Sequence, residues 1–99
     1  MSYVRQGSYL PGTTVNITTS GSSQASGAVG NTTAIVRVAV TENTYVAVGT
    51  GNITATANSM VIAAGGVEFL AVTPGTGNVA VLQVTTAGIA SITQLAELP

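Results

Sequence analysis

The chain has 99 residues, of which only five are charged, and it contains no cysteine, histidine, aspartate or lysine. A Ser-His-Asp triad therefore lacks its base and its orienting acid, zinc lacks its usual ligands, and two arginines provide no basic surface for nucleic acid. We expect no enzyme activity, no cofactor, no metal, and neither nucleic acid nor a small molecule as a partner.

Length and hydropathy limit the architecture to one domain, since compact domains cluster near this size. The start of the sequence lacks the apolar core of a secretory signal. The longest unbroken apolar run, Met60–Ala64, is far shorter than the roughly 18 residues that a membrane span needs. We expect a soluble chain with no membrane contact.

Residues 1–12 are predicted to form an N-terminal arm that ends at a Pro-Gly pair. The arm carries Tyr3, Arg5, Tyr9 and Leu10, and tyrosine and arginine are enriched at binding hot spots. One interpretation is therefore a segment that docks on a partner protein. The alternative is a frayed terminus.

Residues 13–99 are predicted to form a single β domain, because Val, Thr and Ile alternate between Gly, Asn and Pro. The predicted strands are 13–19, 33–41, 44–49, 58–63, 67–73, 79–85 and 89–95, with a loop over 20–31 and a weak strand or loop over 53–57. The last two strands are expected to pair as a hairpin across 86–88. Seven or eight short strands indicate an all-β fold, either a small antiparallel sandwich of jelly-roll type or a flattened barrel.

The predicted strands 33–41 and 67–73 are apolar on both faces. A two-layer sandwich normally exposes one face of each sheet, so this pattern favours a subunit interface over the outer face. The alternative is that Ala and Val are simply tolerated there. Arg37 and Glu68 each lie in mid-strand among apolar neighbours, and we expect them either to pair, within the chain or across a subunit boundary, or to reach solvent separately.

Segments between about residues 33 and 95 resemble small all-β capsid decoration, or cement, proteins of tailed bacteriophages. The resemblance lies in Ile35-Val-Arg-Val38, Thr44-Tyr-Val-Ala-Val-Gly49, Ala64-Gly-Gly-Val-Glu-Phe69, Val72-Thr-Pro-Gly75 and Val79-Ala-Val-Leu-Gln83. These are strand and turn residues, so the resemblance implies a class of role and assigns no functional residue.

The resemblance implies a structural virion protein that is made in the host bacterial cytoplasm and lies on the capsid surface. It would bind the major capsid protein and reinforce the shell, as a homo-oligomer and more specifically a trimer. The N-terminal arm, predicted from its own tyrosine and arginine residues, would be the anchor. The alternative is a tail- or fibre-associated module that recognises a host-surface ligand. Such a module would need a groove with clustered aromatic side chains, and the chain has only three tyrosines and one phenylalanine.

Overall fold

The computed structural model describes residues 9–97, and these residues form eight strands and no helix. The strands are β1 (Tyr9–Thr18), β2 (Gln24–Ala25), β3 (Ile35–Val40), β4 (Thr44–Thr50), β5 (Met60–Ile62), β6 (Val67–Ala71), β7 (Gly77–Gln83) and β8 (Ile89–Glu97). The predicted all-β class is confirmed.

The strands form two four-stranded antiparallel sheets, ordered β1-β8-β3-β6 in sheet A and β2-β7-β4-β5 in sheet B. Four pairings are nested along the chain, since β4 pairs with β5, β3 with β6, β2 with β7 and β1 with β8. The chain is thus one long hairpin folded over into two layers, with β3–β8 and β4–β7 pairings joining its arms. This strand order is that of a jelly roll, so the predicted sandwich is confirmed.

Valine fills most of the space between the two sheets. Along β3, buried and half-buried residues alternate, and Val36, Val38 and Val40 point into the core with exposures of 0 to 4%. Val79 and Val81 of β7 are completely buried in the same cluster. Branched side chains suit both the strand backbone and a thin interior, which explains how a chain poor in bulky residues forms a core.

The outer face of sheet A is partly covered by the chain itself. The rings of Tyr9 and Phe69 stack with their centroids 6.1 Å apart, although β1 and β6 lie at opposite edges of the sheet. The stack therefore crosses the outer face over β8 and β3, where Leu95 is buried outside the main core. Closer to β1 the face is polar, and Thr14 and Thr93 share a hydrogen bond of 2.9 Å.

The outer face of sheet B is covered by the loop over residues 51–59. In this loop Ala55 is 2% exposed, and its N–H donates to Ser23 Oγ at 2.9 Å. The loop passes so close to β4 that a Cβ on Gly49 would lie 2.7 Å from Ile53 Cγ2, so a larger residue there would displace Ile53. The loop thus covers part of this outer face, whereas Val61 at its β5 edge is 52% exposed.

The predicted hairpin between the last two strands is wrong, because β7 lies in sheet B and β8 in sheet A. Residues 84–88 cross between the sheets instead of turning within one. Gly88 is held by Thr19, and the N–H of Ile89 donates to Thr41 Oγ1 at 2.8 Å. A short connection fits either geometry, and here both strands find their partners elsewhere in the sandwich.

Candidate interaction surface

One side of the sandwich gathers most of the exposed bulky apolar residues. Strands β5 and β6 are the last strands of their sheets, and residues 63–66 connect them across the two layers. Four of the seven large apolar side chains that are substantially exposed belong to these two strands: Met60 (44%), Val61 (52%), Val67 (37%) and Phe69 (51%). We call these four residues the apolar side.

The backbone of β6 is open along this side. The N–H of Val72 donates to the Ala34 carbonyl at 2.9 Å, and the N–H of Val40 donates to the Gly66 carbonyl at 3.1 Å. Because bonded and non-bonded pairs alternate along an antiparallel ladder, even-numbered residues of β6 bond to β3. The N–H and C=O groups of Val67, Phe69 and Ala71 therefore point away from the sheet.

The structure separates Arg37 and Glu68 within one chain. Arg37 lies opposite Phe69, and Glu68 lies opposite Val38, whose side chain points into the core. Directly opposed residues share a face of the sheet, so the two charged side chains emerge on opposite faces. Arg37 is half-buried on the outer face and Glu68 is exposed at the edge. Pairing of these charges across a subunit boundary stays a prediction.

The predicted arm is described only in part, since Tyr3 and Arg5 lie outside the described residues. Tyr9 and Leu10 are the first residues of β1 and pair with Glu97 and Ala96 of β8. Sequence reasoning missed the stack of Tyr9 on Phe69, because nothing in the spacing of these two residues indicates that their rings meet.

An open cleft of about 300 Å³ lies between the start of β1 and the loop before β3. Within it, Gln94 Oε1 accepts hydrogen bonds from Thr33 Oγ1 at 2.7 Å and from the N–H of Gly30 at 3.0 Å. Among the described residues its lining has no ionisable side chain and consists of Leu10, Pro11, Gly12, Thr13, Gly30, Thr32, Thr33, Gln94, Leu95 and Ala96. These residues therefore offer neutral hydrogen bonds.

The described residues contain no group of three His, Cys, Asp or Glu side chains placed to hold a metal ion. Within residues 9–97 no helix is long and apolar enough to cross a membrane. The most distinctive feature of this part of the chain is thus the apolar side and the open edge beside it.

No family model matches the chain, and neither the curated proteins nor the solved structures yield a match.

Proposed function

We propose that the protein is a structural virion protein that binds the outside of a tailed-phage capsid and reinforces it. The observation that carries the proposal is the apolar side, which stands on a chain with only five charges. Exposed apolar side chains that gather along one edge of a protein mark sites of contact with other proteins. The resemblance of residues 33–95 to decoration proteins selects the capsid as the partner.

The small size of the apolar side indicates that a single contact is weak and that many copies must act together. Burying a whole Val, Met or Phe side chain contributes about 1.5–3 kcal/mol, so covering the exposed half of each of the four contributes roughly 1 kcal/mol. The resulting roughly 4 kcal/mol only matches the lower end of the cost of association, which is about 4–15 kcal/mol. One copy would bind weakly, and many copies on one shell would together resist its expansion.

In this proposal the N-terminal arm attaches the protein to the major capsid protein. Tyr3 and Arg5 supply the contact, and the position of Tyr9 and Leu10 in β1 fixes the root of the arm to sheet A. The jelly roll itself supports no particular role, because the same fold serves many unrelated functions.

The experiment is co-sedimentation of the purified protein with empty capsids assembled from the major capsid protein of a tailed phage. We expect saturable binding by the full chain and a loss of at least tenfold in affinity when residues 1–8 are removed, since this truncation leaves β1 whole. Ile89→Lys, a charge placed at an exposed site on β8 away from the arm, is the matched control and should bind as the wild type does. Absence of binding by the full chain would refute the capsid proposal, and unchanged binding by the truncated chain would refute the role of the arm.

A further inference from the structure

We propose that two copies of this chain pair through their β6 strands, antiparallel and centred on Phe69, so that the two A sheets become one eight-stranded sheet. The inference rests on the proposed function and deepens it, because it assigns the apolar side to a second copy of the chain and leaves the N-terminal arm as the contact with the capsid. It concerns the protein in solution, where no capsid is present.

The first argument is the open backbone of β6. Val67, Phe69 and Ala71 direct their N–H and C=O groups away from β3, and no further strand of the described chain covers them. An exposed edge strand of this kind is a template for strand addition. Natural edges are usually protected by lysine, proline or a bulge, whereas β6 has only Glu68.

The second argument is the register that β6 permits with itself. Because the odd-numbered residues carry the free backbone groups, β6 can pair antiparallel about Glu68, Phe69 or Leu70. Centring on Phe69 pairs all five residues of the strand, whereas the other centres pair only 67–69 or 69–71. Centring on Glu68 would also place two carboxylates directly opposite each other, which is unfavourable.

The third argument is what the Phe69-centred register brings together. It places Glu68 opposite Leu70 of the partner subunit, so each carboxylate faces an apolar neighbour instead of its own copy. On the outer face, Phe69 lies opposite its equivalent, and Val67 lies opposite Ala71 of the partner subunit. These outer-face residues are all exposed in the single chain, so pairing covers apolar surface and satisfies backbone groups at once.

This contact has two-fold symmetry, in contrast to the trimer that the resemblance implies. A two-fold interface uses the same surface of both copies and closes on itself, so it stops at a dimer. Each dimer would carry two N-terminal arms, one at the start of each β1.

The test exploits the absence of cysteine, because a single introduced thiol can form a disulfide only with another molecule. In the proposed register the two Phe69 Cα atoms lie about 5.5 Å apart, within the range that a disulfide spans. The two Glu68 Cα atoms are offset by two residues along the strands, at roughly 8 Å, which is beyond that range. We therefore expect Phe69→Cys to cross-link efficiently under mild oxidation, and Glu68→Cys at least tenfold less.

Ile89→Cys is the control for random collision, since Ile89 is 47% exposed and lies away from β6. Sedimentation of the unmodified protein without capsids should rise with concentration towards twice the chain mass of 9.7 kDa. Equal cross-linking of all three variants, a monomer at every concentration or a trimer would overturn the pairing. Capsid co-sedimentation of the same samples separates the two proposals: a dimer that fails to bind capsids refutes only the capsid role, and a monomer or trimer that binds refutes only the pairing.

Discussion

At the scale of single residues, Thr19 holds together the two strands that begin and end the sandwich. It is 1% exposed, and its N–H donates to the Gly88 carbonyl at 2.8 Å. Its Oγ1 accepts from the N–H of Gly88 at 2.8 Å and donates to the same carbonyl at 3.2 Å. One hydroxyl thus satisfies the backbone of the crossing before β8.

We predict that Thr19→Val lowers the free energy of unfolding by about 1–3 kcal/mol, because it keeps the shape of the side chain and leaves the partly buried Gly88 N–H without an acceptor. Urea denaturation followed by circular dichroism measures the change. Thr18→Val, at the exposed neighbouring position, should stay within about 0.5 kcal/mol of the wild type. Equal stability of the two variants would show that the Thr19 hydroxyl is dispensable.

The residue scale also shows where sequence reasoning succeeds. The alternation of Val36, Val38 and Val40 predicts their common face, because side chains on a strand alternate by geometry alone. The relation between Arg37 and Glu68 is different, since it depends on the register between β3 and β6. A shift of one residue in that register would place Glu68 on the same face as Arg37. No local sequence pattern fixes the register.

At the scale of elements, the loop over residues 51–59 acts as the cover of sheet B. Ala55 is buried although it belongs to no strand. Its N–H donates a hydrogen bond to Ser23 Oγ, which ties the loop to the segment before β2. The sequence predicts either a weak strand or a loop over residues 53–57 and cannot decide between them, because docking of the loop depends on Gly49 offering a surface without a side chain.

We predict that Ser23→Ala loosens this cover without unfolding the sandwich. The Ala55 N–H would lose its acceptor, and the loss of about 1.4 kcal/mol or more of local stability corresponds to at least tenfold faster amide exchange at Ala55. Hydrogen exchange followed by NMR reports this residue directly. Ser22→Ala is the matched control, since Ser22 is exposed and its side chain makes no hydrogen bond in the structure. Unaltered exchange at Ala55 in Ser23→Ala would mean that packing alone holds the loop.

The order of elements was only partly predictable. Most strands follow from Val and Thr runs between turn residues, and their number led to the sandwich. The hairpin of β7 and β8 was wrong, because alternation indicates a strand without identifying its partner. The two-residue β2 was missed altogether, since Gln24 and Ala25 carry no strand pattern and are ordered by pairing with β7.

At the scale of the whole molecule, a chain with only five charges has apolar outer faces that must be covered. The chain covers part of its own outer faces with the Tyr9–Phe69 stack and the loop over residues 51–59. The apolar side holds four of the seven large apolar side chains that the described chain leaves exposed. In the proposed dimer, association would bury apolar surface that one short chain leaves exposed.

The most direct test of this account is amide hydrogen exchange of β6 in dilute and concentrated protein. We predict that the amides of Val67, Phe69 and Ala71 exchange rapidly when the protein is dilute and at least tenfold more slowly when it is concentrated, because their outward N–H groups then bond to a second copy. The amides of Glu68 and Leu70, which face β3, should be protected in both samples. Equally rapid exchange of the three outward amides at both concentrations would contradict the account.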